Sequence, residues 1–231
     1  MNEQLVLGLS LKEALEKEDF FISSSNSDAV TLLDNTDRWA SGVLLLVGPK
    51  GSGKTHLSTV WSKENKAKHV KLEAVLWEME NGLDHEFVCV EDIDVIEKAE
   101  RQKKLKIEEG IFHLINSIVS RGGMLLISSR KMPNSVSFGL KDLVSRLQSF
   151  SSANIKEPDD SLVMALLLKY FNDRQIYIKH SNLDYIAARI NRTYRSIYEF
   201  VNYLDHKSLA LNTKVTRPFI DSALNKMEKT Y

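Results

Sequence analysis

Apolar runs of strand length alternate with helical spacings through the first two thirds of the chain. Gly42-Val43-Leu44-Leu45-Leu46-Val47 is an unbroken, branched apolar run and reads as a buried strand. Lys68-His69-Val70-Lys71-Leu72, Phe87-Val88-Cys89-Val90 and Gly123-Met124-Leu125-Leu126-Ile127-Ser128-Ser129 read as further strands. Between and after them the spacing predicts helices from His56 to Trp61, over about 73–80, near 108–120 and from Leu140 to Leu147. Alternation from about residue 40 to 157 is the rhythm of an α/β domain, a parallel sheet with helices on both faces.

From Pro158 onward the pattern changes to helical spacing throughout. Leu162, Ala165, Leu166 and Tyr170 share one stripe, Leu183, Ile186, Ala187 and Ile190 the next, and Ile197, Phe200, Val201 and Leu204 a third between Tyr194 and Asp205. A last helix is expected over about 216–228, with Thr216 as its cap and Pro218 in its first turn. Residues 158–231 therefore form a small all-helical domain behind an α/β domain spanning 13–157, and residues 1–12 stand apart as a leader.

Composition narrows the setting. Thirty-one basic residues balance thirty-one acidic ones, so the overall charge gives no footprint for nucleic acid or a membrane surface. The charged run from Glu97 to Lys104 suits a solvated helix or loop. The single cysteine, Cys89, excludes an intrachain disulfide and sits in a strand, which fits a reducing cytoplasm. No apolar stretch approaches the about 18 residues of a membrane span, and no signal peptide is evident, so a soluble cytoplasmic protein is expected.

Gly48-Pro49-Lys50-Gly51-Ser52-Gly53-Lys54-Thr55 fills every fixed position of the phosphate-binding pattern G-x-x-x-x-G-K-[ST], between a predicted strand and a predicted helix. A match by chance somewhere in a chain this long is roughly a one-in-a-hundred event. Glycines let successive N–H groups turn inward on phosphate oxygens, Lys54 reaches the β and γ groups, and the Thr55 hydroxyl can ligate Mg²⁺. His56 continues the segment. The nucleotide is expected to be ADP or ATP.

Such a loop needs an acidic strand end beside it, and Val88-Cys89-Val90 runs into Glu91-Asp92. One carboxylate would serve the metal, with Asp92 the candidate beside Thr55, while the other orients an attacking water; which does which stays open. A strand later, Ser128-Ser129-Arg130 places small hydroxyls where a γ-phosphate sensor could sit, although the same residues suit an ordinary turn. Arg146 in the helix after it and Arg195 at the start of a later one are further candidates, each also suited to a solvated surface.

With these residues assembled, the chain resembles AAA+ ATPases of the DnaA replication-initiator branch, and within it the shortened Hda-type homologues that inactivate the initiator. Gly48–Thr55 corresponds to Walker A, Val88–Asp92 to Walker B, Ser128-Ser129 to the first sensor, Asp142–Leu147 to the arginine-finger box and Arg195 to the second sensor. The resemblance implies that Arg146 acts in trans on a neighbour's ATP and that Arg195, on a helical lid, touches nucleotide in cis. Asp19-Phe20-Phe21-Ile22 with Ser25, Asn26 and Ala29 resembles the adenine-side segment, without its usual intervening glycine. Gln4-Leu5-Val6-Leu7-Gly8-Leu9 resembles the peptide that docks on the β sliding clamp, with Gln4, Leu5, Leu7 and Leu9 as contacts.

The partners so implied are DnaA, the polymerase III β clamp and a second copy of the chain, as a homodimer. A full initiator continues into a helix-turn-helix domain, so sequence-specific DNA binding is not expected here. Two departures, Glu91 in place of a first aspartate and Ser-Ser-Arg at the first sensor, point to weak intrinsic ATPase activity. The resulting expectation is a clamp-docked negative regulator of replication initiation that stimulates hydrolysis by DnaA. The alternatives are an active helicase loader or remodeller driven by its own ATP, and a catalytically dead scaffold.

Overall fold

The computed structural model describes residues 20–228. Two compact units separate between Lys156 and Glu157.

In the first unit a five-stranded parallel sheet has the order β2-β3-β4-β1-β5, with β1 Val43–Val47, β2 Lys68–Val70, β3 Phe87–Val90, β4 Met124–Ser129 and β5 Ser151–Asn154. Helix α1 Ser27–Asp34 precedes the sheet, and four helices connect its strands: α2 Lys54–Asn65, α3 Val75–Glu80, α4 Arg101–Ser120 and α5 Lys141–Gln148. Side chains alternate across a strand, so β1 sends Val43, Leu45 and Val47 to one face, where they share a core with Val75 of α3, Ile107 to Ile118 of α4 and Leu143 of α5. Leu44 and Leu46, equally inaccessible, belong to the other face, where α2 lies against β3 and β4 and α1 against β5. Each such aliphatic side chain contributes about 1.5–3 kcal/mol on burial. The α/β expectation is met, with helices on both faces.

Differences from the sequence reading have local causes. β2 stops at Val70, because the chain turns into a 3-10 segment, Leu72–Ala74, that buries Leu72 and leads into α3. α4 begins at Arg101, not near 108; its charged first turns are largely exposed, and the helix reaches the core only at Ile107. β5, a polar strand of sequence Ser-Ser-Ala-Asn, was not foreseen, since only Ala153 is fully buried and the strand exists by pairing with β1.

The second unit holds α6 Asp160–Asp173, α7 His180–Ala187, α8 Tyr194–Leu211 and α9 Arg217–Glu228 around Phe171, Leu183, Ile186, Phe200, Val201 and Ile220. Asp159 caps α6 by accepting the Leu162 N–H at 2.9 Å, and Thr193 caps α8 by accepting that of Ser196 at 3.1 Å. α8 runs past Asp205 to Leu211, ending at Asn212 in the left-handed region. Among the described residues no helix is long and apolar enough to cross a membrane.

Gly110 sits where α4 meets α3. A Cβ there would lie 2.9 Å from the Leu76 nitrogen and 3.0 Å from its Cα. Alanine is the better helix former by about 1 kcal/mol, yet the clash involves backbone, so Gly110→Ala is expected to destabilise by about 1–3 kcal/mol in urea unfolding. A more stable variant would mean that α3 can move aside.

Candidate nucleotide-binding site

Parallel register brings the site together. Val47 pairs with Ser129, and the Gly48 N–H donates to the Ser129 carbonyl at 3.2 Å, so the phosphate loop leaves the sheet beside the Ser128-Ser129 pair at the end of β4. Val90 pairs with Ile127, which sets the Asp92 N–H 3.0 Å from the Ser128 hydroxyl oxygen that accepts it. Every strand delivers its C-terminal end to this edge, where open α/β sheets bind ligands.

The loop itself turns through Gly51 and Gly53, at φ +85° and +87°. A side chain on Gly53 would also strike Phe20, whose ring lies 2.6 Å from the place a Cβ would take. Phe20 meets His56 edge-on with ring centroids 5.5 Å apart. Asn26 closes the upstream segment by accepting the Ser23 N–H at 2.8 Å and donating to the Phe21 carbonyl at 2.9 Å, while Ala29 is buried in α1.

Lys54, 6% exposed, donates to the carbonyls of Gly48 at 2.8 Å and Pro49 at 3.0 Å. Burial pushes its amine below the ordinary value; Asp92 opposes this most, then Asp94, with Glu91 opposing least, and Arg130 adds to the lowering. Thr55 stands exposed in the first turn of α2. Glu91 keeps one carboxylate oxygen, Oε1, buried without a hydrogen-bond partner. Asp92 turns the chain in the left-handed region, φ +52°. A buried ammonium, an unpartnered acceptor, an exposed hydroxyl and a glycine-curled loop fit a nucleotide's phosphates with Mg²⁺.

Asp94 was missed in the sequence, where it looks like one more acid of a charged stretch; its signal is the apolar Ile93, Val95 and Ile96 around it. It is 6% exposed, accepts the Arg130 N–H at 2.8 Å, and lies 2.8 Å from Arg130 Nε, an ion pair by distance, not an aligned hydrogen bond. Ser129 donates to the Lys131 carbonyl at 2.7 Å.

Arg146 is not among the charges felt at Lys54. It lies on α5 with its guanidinium 5.8 Å from the Phe150 ring centre and its buried Nε without a hydrogen-bond partner. Arg195 belongs to the helical unit, where it pairs with Glu199 at 2.7 Å. Gln4, Leu5, Leu7 and Leu9 lie outside the described residues.

Residues 159–224 match the family described as Hda, lid domain. Domain III of the Thermotoga maritima replication initiation protein DnaA has the same fold, at a TM-score of 0.72 and 19% identity over 94% of this chain and 98% of that one. The chain thus joins a region that matches the Hda lid to the fold of DnaA domain III. AMPPCP-bound DnaA from Aquifex aeolicus gives a TM-score of 0.62 at 16% identity over 82% of this chain and 64% of that one. An uncharacterized protein of Haemophilus influenzae is 27% identical over 235 residues, 97% of this chain and 100% of that protein. Residues matching the Hda lid thus run from α6 into α9, and Arg195 stands among them.

Two outcomes are expected. Bound phosphates favour a charged Lys54, so nucleotide binding takes up a proton once the free amine has begun to lose its own. ADP affinity therefore falls as pH rises through the lowered Lys54 value toward 10.5, and calorimetric titration shows whether Lys54→Arg flattens that dependence. Asp94→Ala strands the Arg130 N–H and guanidinium, and is expected to cost about 2 kcal/mol in urea unfolding, less than for a fully buried pair because Arg130 is 30% exposed.

Proposed function

We propose that this DnaA-related chain is a nucleotide-bound negative regulator of replication initiation that docks on the sliding clamp and promotes hydrolysis of ATP held by DnaA. The observation that carries it is Arg146. Among the described residues no carboxylate pairs with this guanidinium, which rests against Phe150 and is half-buried. A guanidinium with no carboxylate partner among the described residues is available to stabilise charge on a γ-phosphoryl group in another chain. The Hda lid match agrees with that role.

In the chain's own site the residues bind and hold. The loop from Gly48 to Gly53 turns N–H groups onto phosphate oxygens, Lys54 exchanges its loop carbonyls for them, and His56 and Phe20 flank the loop. Thr55 and Asp92 would hold the Mg²⁺, which when bound neutralises phosphate charge. Asp92 is the candidate for that role, with Glu91 the alternative. Arg195 contacts the nucleotide from the lid, a second copy of the chain can pair with the first, and Gln4, Leu5, Leu7 and Leu9 engage the clamp.

One observation favours a second reading. The unpartnered Glu91 Oε1 suits a general base, as a loader or remodeller running on its own ATP would need.

A mixture of this protein, DNA-loaded clamp and DnaA-ATP, followed by phosphate release, separates the readings. The wild type is expected to accelerate release, Arg146→Ala to lose roughly a hundredfold or more of that effect, and deletion of residues 4–9 to raise the concentration required. Glu91→Gln should leave the stimulation within a fewfold. Absence of stimulation by the wild type defeats the proposal, and abolition by Glu91→Gln favours the loader.

A further inference from the structure

We propose that Glu108, a fully buried carboxylate in the middle of α4, is a positioning residue that fixes α5, and with it Arg146, by accepting the two backbone N–H groups that lead into that helix. This rests on the trans role of Arg146 given above.

Glu108 is 0% exposed, and α4 otherwise turns Ile107, Ile111, Leu114 and Ile115 to the core. A carboxylate in such company is expensive unless donors surround it. Here they do: Gly139 donates to Oε1 at 2.9 Å and Oε2 at 3.0 Å, and Leu140 donates to Oε2 at 2.7 Å. Leu140 is the residue before the first turn of α5. A negative charge at that end also opposes the positive end of the helix dipole. Each bond is charge-assisted, and two consecutive amides on one carboxylate fix direction as well as distance.

Helix α5 has few other ways to hold its place. It is eight residues long, with only Leu143 and Leu147 fully buried, and its approach from the sheet is irregular apart from the short 3-10 segment Pro133–Ser135. That approach is gripped by side chains that follow the acidic end of β3. Asp94 holds Arg130, Glu97 accepts the Ser137 N–H at 2.9 Å and pairs with Lys131 at 2.7 Å, Lys104 donates to the Ser137 carbonyl, and Glu108 holds Gly139 and Leu140. The Lys131 ammonium and the Ser137 N–H hold the Glu97 carboxyl below its ordinary value. Residues 130–140, which join the first-sensor strand to the Arg146 helix, are thus held at both ends and in the middle by the segment leaving Asp92. Glu108 is the buried and final grip.

The test uses the full chain with Glu108→Ala and Glu108→Gln, the second keeping the volume and one acceptor oxygen. Amide hydrogen exchange is expected to show protection lost over residues 137–148 in the alanine variant and partly kept in the glutamine variant. In the phosphate-release mixture, the alanine variant should lower the maximal rate at least tenfold while the half-saturating concentration stays within threefold and ADP affinity within twofold, with glutamine between it and the wild type. Unchanged exchange overturns the proposal, as does full stimulation by a folded alanine variant, or a loss of stimulation matched by loss of ADP binding. If the alanine variant does not fold, the glutamine variant carries the test: a lowered maximal rate at unchanged ADP affinity supports the proposal, and a wild-type rate overturns it. If the wild type itself does not stimulate DnaA, the reading of function fails, and the grip of Glu108 on α5 is judged by exchange alone.

Discussion

Burying the Lys54 ammonium is the constraint that the nucleotide end of the sheet has to meet. At 6% exposure a charge of this kind must find acceptors and opposite charge nearby. The acceptors are the carbonyls of Gly48 and Pro49, which face the amine only because the loop curls through left-handed glycines. The opposite charge comes from Asp92 and Asp94, which reach the site because β3 and β4 run parallel in the register that sets Val90 beside Ile127. Loop geometry, strand register and the acidic turn after β3 are thus one requirement seen from three sides.

That requirement explains which parts of the fold were legible. The phosphate loop, β1, β3, β4 and the lid stripes carry their signal locally, in a motif or in a periodicity set by burial, and the Hda lid match confirms the helical part. What could not be read depended on partners distant in sequence. β5 is four residues of mostly polar chain whose strand state comes from β1, and the first turns of α4 look like any solvated charge run. Asp94 and Glu108 are the sharper cases. Acids are ordinarily read as surface, and only the fold discloses that Arg130 in one case, and Gly139 with Leu140 in the other, converge on them.

The two buried acids do different work. Asp94 faces the phosphate loop and ties the end of β4 to the turn after β3, so its charge is shared between Arg130 and Lys54. Glu108 lies within α4, and its partners among the described residues are backbone amides. A carboxylate that pairs with no cation among the described residues contributes geometry, because its Coulomb energy goes into holding peptide groups in place. Under the proposed function, that suits a connection whose far end carries the arginine offered to another molecule.

An arginine acting in trans faces a harder condition than a residue acting within its own site. Its side chain has several rotatable bonds, and ordering it costs up to about 2 kcal/mol even on a rigid backbone. If the helix beneath it also moves, that cost is added at the moment of engagement, when the guanidinium has to meet charge that exists only in the transition state. Resting the guanidinium over Phe150 meets part of the side-chain cost in advance, and clamping the entrance of α5 on a buried carboxylate meets the backbone part. Under the proposed function, then, the machinery of this chain is preorganised at two places: at Lys54 for its own nucleotide, and at Glu108 for a nucleotide it never binds.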